Sequence, residues 1–208
     1  MNTPMDAILQ EQFPTVMVPR YGDFVPLAHN GRRFLSASDG LWLEEKNQWL
    51  HILWPLALQN QVAMPYGSLQ KKVDFLYGEF PVDMITRFMV EAKERFPLEC
   101  AAWFTWDTYL KRFNYYSLHA RQASLDNLDY ACPVLPETEC LVCDIHSHGR
   151  HPAVFSPEDN NDDRGETKIA VVLGRINSSP SIAFRLCVAG LKIPIKYNLA
   201  KLPFLEET

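Results

Sequence analysis

The sequence predicts an α+β fold: a small antiparallel β-rich unit first, then a helix packed on a mixed sheet. Three observations carry this expectation. Turn signals recur at short intervals from Thr15 to about Ala57, one strong helical stripe starts after Pro81, and apolar strand-like runs fill most of the remainder. The 208 residues suffice for one ordinary domain, or a compact domain with a smaller extension. With 47% hydrophobic and 22% charged residues, the chain has the balance of a folded globular protein, which excludes extended disorder.

Between Thr15 and Ala57 the runs VMVP, DFVPLA, RRFLSAS, LWLEE and WLHILWPLA are punctuated by His29-Asn30-Gly31 and Asp39-Gly40. Asn-Gly and Asp-Gly supply the positive dihedrals of tight hairpins, so these runs read as strands of one antiparallel sheet. Trp42, Trp49 and Trp54 read as its packing residues, because large rings supply most of the buried area in a small layer. Gln59 to Phe80, broken by Pro65, Gly67 and Gly78, reads as a connection, with the boundary near residue 75 dividing the chain into 1–75 and 76–208.

After Pro81, the residues Val82, Ile85, Met89, Ala92 and Phe96 recur at spacings of three and four, forming a helical stripe that Pro97 ends. ECAAWFTWD and YLKRFNYYSLHA then read as strands, and SLDNLDYACPVLPET as a loop. CLVCDI reads as an apolar strand running into the polar segment HSHGRHPAVFSPEDNNDD. KIAVVLG, SIAFRLCVAG and KIPIKYNL complete the set, the first apolar enough to be covered on both faces.

A net charge of -5 argues against a nucleic-acid binder held by phosphate neutralisation. The five cysteines form an odd set, and MNTPMDAILQEQFP lacks a cationic stretch followed by an apolar one. Both features fit reduced thiols and a cytoplasmic location. No run approaches the ~18 apolar residues of a membrane-spanning helix.

The chemistry lies in His146, His148, Ser156 and Asp159. Strand side chains alternate, so a His-x-His pair at a strand end aims both imidazoles into one space, where they can share an ion. Zinc takes imidazole nitrogen and carboxylate oxygen, and a catalytic site uses three protein ligands with a fourth position left for water. Asp159, a short loop away, is the natural third ligand for one zinc ion per chain. Ser156-Pro157-Glu158-Asp159 equally has the pattern of a helix start, so capping alone also accounts for Ser156 and Asp159.

His146-Ser147-His148, seven residues, Ser156, two residues, Asp159 resembles the signature of the JAMM (MPN/JAB-domain) zinc metalloproteases. That family places a catalytic Glu after its first helix, and Pro97-Leu98-Glu99 stands there. Ala101 and Ala102 replace the family's usual glycines, and Gly149 its usual proline. The stretch DIHSHG followed by FSPEDNNDD is similar to the JAB-like proteins of the plasmid-associated PRTRC cassette.

The resemblance implies a JAB/MPN-like domain from about Pro81 onward, with zinc on His146, His148 and Asp159. It implies Glu99 as general base and Ser156 as donor to a developing oxyanion. It further implies hydrolysis of a peptide or isopeptide bond in a ubiquitin-like protein, with a ThiF-like activating enzyme in the same pathway. The alternative it leaves open is a non-catalytic module of the same fold that binds such a partner.

Other groups weigh less. Glu139 precedes His146 by seven residues, roughly 23 Å along a strand, and is out of reach. Asp144 shares a face with His146 and reads as a supporting group rather than a ligand. Asp162 and Asp163 are expected in the first turn of the helix after Ser156. His146, His148 and His151 spell a metallo-β-lactamase-like pattern, but Arg150 stands where that pattern has Asp and would oppose a second metal.

Cys140 and Cys143 lack the second pair of a structural zinc site and, three apart on a strand, are expected on opposite sides. No His-x-Glu precedes them, which argues against a nucleobase deaminase. The aromatic and basic mixture from Tyr109 to Tyr116 reads as a half-buried strand rather than a base-stacking platform.

Overall fold

The computed structural model describes residues 3–59, 61–118, 120–123, 128–130 and 132–196. The chain divides into two compact units, Met1–Gly78 and Glu79–Thr208. Among the described residues, no helix is long and apolar enough to cross a membrane.

In the first unit, helix α1 (Pro4–Gln12) precedes strands β1 (Thr15–Met17), β2 (Gly31–Ala37), β3 (Gly40–Lys46), β4 (Leu50–Leu58) and β5 (Lys72–Phe75), which lie side by side in that order. The sheet departs from the antiparallel expectation at one edge, where β1 runs parallel to β2. The cause is DFVPLA, which forms no strand. Its backbone is satisfied by side chains instead: Leu27 N–H donates to Glu44 Oε1 at 2.8 Å, Arg33 donates to Val25 O at 2.6 Å, and Lys46 donates to Leu27 O at 3.1 Å. The segment therefore crosses over rather than folding back, and a crossover returns the chain parallel.

Asn30-Gly31 accordingly turns no hairpin, whereas Ser38 and Asp39 do, immediately before Gly40. Two further elements were not legible. α1 starts at a Thr3–Asp6 capping box with Pro4 in its first turn, and β5 lies inside the stretch expected to be a connection. Trp42 and Trp49 are buried as expected, the former in a core with Val18, Leu35, Ala37 and Leu53.

In the second unit the order is α2 (Val82–Arg95), β6 (Ala101–Asp107), β7 (Arg112–Leu118), β8 (Ala120–Ala123), β9 (Leu128–Tyr130), β10 (Glu139–Ser147), α3 (Pro157–Asp162), β11 (Lys168–Gly174), β12 (Ser181–Val188) and β13 (Leu191–Pro194). Six strands form a mixed sheet in the order β13-β12-β11-β10-β6-β7, with β10 and β11 parallel and the other pairs antiparallel. β8 and β9 pair separately, and β9 lies in the stretch expected as a loop. Residues 124–127 and 131 of that stretch, and 197–199 of KIPIKYNL, lie outside the described residues.

The two faces of this sheet differ in chemistry. One carries Phe104, Ile145, Val171 and Leu186, all buried. The α2 helix buries Ile85, Phe88, Met89 and Ala92, and Tyr115 fastens it to the sheet by donating to Glu91 at 2.7 Å. The other face carries Asp144, His146, Lys168 and Arg185, and α3 is tied to it. β11 is buried along its whole length, as its composition predicts.

Candidate metal centre

β10 lies between β6 and β11, so His146, its penultimate residue, is held by ladders on both sides. His148 follows just past the strand end and still donates its backbone N–H to Leu173 O at 2.8 Å. Strand alternation turns the intervening Ser147 to the opposite side, where it is 1% exposed. There its Oγ accepts the Cys100 N–H at 3.1 Å while its own N–H donates to Cys100 O at 2.9 Å. This pair of bonds draws the segment after Pro97, Glu99 included, against the strand end, and the Glu99 charge is one of the smaller influences that raise the His146 pKa. Ser147 was missed in the sequence, although the middle residue of a strand-borne His-x-His must point inward, and a buried hydroxyl needs a partner.

Beyond His148 the chain turns through Gly149, whose φ is 48° and where a Cβ would lie 3.0 Å from Pro97 O. Proline, with φ fixed near about -65°, cannot take that conformation, which accounts for glycine at this point. Ala101 and Ala102 are buried strand residues opposite His146 and Ile145, where a Cβ is accommodated. At Gly174 a Cβ would lie 2.3 Å from Ala153 N, so the returning loop passes directly over the end of β11 on its way to Ser156.

Ser156 caps α3, its Oγ accepting the Asp159 N–H at 3.1 Å. In return, Asp159 Oδ2 accepts the Ser156 N–H at 2.6 Å. The other oxygen, Oδ1, lies 3.0 Å from His146 Nε2, while Oδ2 is 3.7 Å from His148 Nε2 and the two Nε2 atoms are 3.0 Å apart. Each of the three residues offers one ligand atom, all within 4.8 Å of one another. Four ligand atoms about 2.0–2.1 Å from a tetrahedral zinc would lie about 3.3 Å from each other. The His146–His148 and His146–Asp159 spacings of 3.0 Å lie close to that edge and the third stays within 4.8 Å, so the two imidazoles and the Asp159 carboxylate could close on one small cation.

The electrostatics agree. Burial resists charging His146, yet the Asp159 hydrogen bond and charge, with Asp144 and Glu99 behind them, raise its pKa above the ordinary value. His148 is pushed down by burial and by the neighbouring His146. Burial would raise Asp159, but His146 and the Ser156 bonds hold it well below the usual carboxylate range. The cluster therefore holds an ionised carboxylate beside one imidazole that is kept neutral, the protonation states in which both can act as ligands.

Groups outside the cluster fall as follows. Glu139 is taken up by Thr105 and Tyr116, which donate to it at 2.6 and 3.0 Å. Asp144 accepts from Lys168 at 3.0 Å. His151 is exposed and not among the clustered ligands. Asp162 and Asp163 are not in the first turn of α3: the helix is six residues long, so Asp162 is its last residue and Asp163 its C-cap. Negative charge opposes the dipole there, and at Asp163 it is neutralised by Lys168 and Arg185. Cys140 and Cys143 are also not on opposite sides. A bulge between Leu141 and Cys143 sets them opposite Trp106 and Phe104, which share one face of β6.

Fold and ligand geometry together define a JAB-type domain. Residues 81–187 match the family described as prokaryotic homologs of the JAB domain, and the chain belongs to that family. Residues 3–76 match a second family, described as a domain of unknown function (DUF2016). No curated protein and no solved structure matches the chain.

Proposed function

We propose that the second unit is a zinc-dependent hydrolase of peptide or isopeptide bonds, with His146, His148 and Asp159 as ligands. The observation that carries this reading is the convergence of those three ligand atoms, with Glu99 preceding the Cys100 that is bonded to Ser147 between the two histidines. A zinc ion bound there would supply a water of pKa near about 7 and polarise the scissile carbonyl.

The residues of the chain do the rest. Glu99 takes the proton of the attacking water and returns it to the leaving amine nitrogen. Ser156 uses a lone pair of Oγ for its capping bond, which leaves its O–H to donate to the carbonyl oxygen as negative charge develops. The substrate in this reading is the C-terminal region of a ubiquitin-like protein, activated in the same pathway by a ThiF-like enzyme, in the cytoplasm. The order of the two family matches is consistent with a PRTRC-like arrangement.

The test is zinc content after purification without chelator, followed by incubation of the zinc-loaded protein with ubiquitin-like fusions and intact-mass readout. Cleavage by the wild-type chain, with Glu99→Gln retaining zinc but losing cleavage, is the expected outcome. Zinc content near zero would favour a non-catalytic binding module. Unchanged cleavage by Glu99→Gln would remove Glu99 from the mechanism.

A further inference from the structure

α3 carries Asp159, yet it has only six residues and none of them is buried. Isolated helices shorter than about 12–15 residues do not hold in water, so neither propensity nor apolar packing fixes this one. What fastens it is a side chain from a strand distant in sequence. Arg185 on β12 is 6% exposed, and its Nε and Nη2 donate to Asp163 Oδ2 at 2.9 and 2.5 Å. Its Nη1 donates to Asn160 Oδ1 at 2.7 Å, and Nη2 reaches the backbone carbonyl of Asp159 itself at 3.1 Å. The guanidinium also lies 3.7 Å over the ring of Phe155, the residue before Ser156. One side chain thus touches the chain before, within and after the helix.

A second cation completes the connection. Lys168 on β11 is 5% exposed and lies 3.0 Å from Asp163 Oδ1 and 3.0 Å from Asp144 Oδ2. Asp144 stands two residues before His146 on the same face of β10. A continuous path of charged hydrogen bonds therefore runs from the Asp159 carbonyl, through Arg185, Asp163, Lys168 and Asp144, to the strand that presents the first histidine. Buried ion networks seldom stabilise a fold more than well-packed apolar residues of the same volume. Their distinctive contribution is direction, since a guanidinium fork fixes its partners in one plane.

We infer that Arg185, with Lys168 beside it, is the positioning residue that sets Asp159 against His146 and His148. The inference rests on the metal-ligand reading above and concerns how the triad is held rather than what it hydrolyses.

The test measures zinc affinity by competition with a chromophoric chelator and the visible spectrum of the cobalt(II)-loaded protein. Wild type is compared with Arg185→Lys, which keeps the charge but not the fork, with Asn160→Ala, which removes the half-buried acceptor that Arg185 shares with the exposed Lys192, and with Lys192→Ala, which removes only the exposed donor and is expected to keep wild-type affinity. The melting temperature of each metal-free variant is recorded beside its affinity. Arg185→Lys is expected to weaken zinc binding by about 10–100-fold and to alter the cobalt bands, with a smaller loss in the same direction for Asn160→Ala.

A brace that served stability alone would lower the melting temperature and leave the affinity of the folded protein unchanged. Wild-type affinity in folded Arg185→Lys overturns the inference. So does wild-type affinity in Asn160→Ala should Arg185→Lys fail to fold. A wild-type chain that binds neither zinc nor cobalt removes the metal-ligand reading itself and this inference with it, an outcome distinct from equal binding by wild type and variants.

Discussion

Ser156 and Asp159 hold each other by two reciprocal bonds, Oγ accepting the Asp159 N–H at 3.1 Å and Oδ2 accepting the Ser156 N–H at 2.6 Å. The same carboxylate presents Oδ1 to His146, so starting the helix and placing the ligand are one device. Ser156→Ala is expected to cost about 1 kcal/mol of stability, the usual worth of a side-chain cap. Urea unfolding of the metal-free protein measures this. Zinc affinity should fall as well, because the freed carboxylate samples more rotamers; a variant with full stability would show that the cap contributes nothing.

Ser147 acts on the other flank. Its hydroxyl is the partner of the buried Cys100 N–H, and Cys100 is 0% exposed. Ser147→Ala leaves that N–H unsatisfied and should cost about 1–3 kcal/mol. On the proposed reading the lost hydroxyl bond supports the residue next to Glu99, while the ladders and the His148–Leu173 bond that hold the histidines remain, so turnover should drop more than zinc affinity. An equal drop in both quantities would contradict this division of labour.

Asp163 gives acid sensitivity of a defined sign. Burial by itself would raise its pKa, but the Lys168 charge and the hydrogen bonds from Arg185 and Lys168 keep it below the ordinary value. A carboxyl whose folded pKa is depressed contributes stability above its unfolded pKa, about 3.9, and loses that contribution as pH falls through the folded value. Asp163→Asn should therefore be markedly less stable than wild type at pH 7, with the gap closing below about pH 4. Melting temperatures from pH 7 to pH 2 test this; a gap independent of pH would assign the loss to shape rather than charge.

The thiols separate by position. Burial pushes Cys100 and Cys140 up to about 11 and Cys187 up to about 12, and Cys143 rises well above its ordinary value for the same reason. Cys132 is exposed. Alkylation of the native protein at pH 8 should modify Cys132 first, the half-buried Cys140 far more slowly, and Cys100, Cys143 and Cys187 only on unfolding, since the thiolate is the nucleophile. Peptide mapping after brief iodoacetamide treatment reads this out.

Much of the second unit was legible because its signals are periodic and local. The α2 stripe, the apolar β11 and the His-x-His at a strand end each follow from spacing alone. Legibility failed where a side chain overrode the local pattern. DFVPLA has the composition of a strand, but Glu44, Arg33 and Lys46 satisfy its backbone from elsewhere. Asp163 has the composition of a helix start, but the brevity of α3 puts it at the other end. Of the candidate site, the ligand cluster was readable in one short stretch. Arg185 and Lys168 were not, because a lone cation within an apolar strand announces burial but not its partner.

The parallel pairing of β10 with β11 has a kinetic corollary. That ladder closes only after the intervening chain has crossed over, while β10 must also find β6 far upstream, so the candidate metal centre is assembled from pairings with long loops. Such contacts form late. A bound ion should accordingly leave the refolding rate almost untouched and act as a latch on the finished structure, slowing its opening.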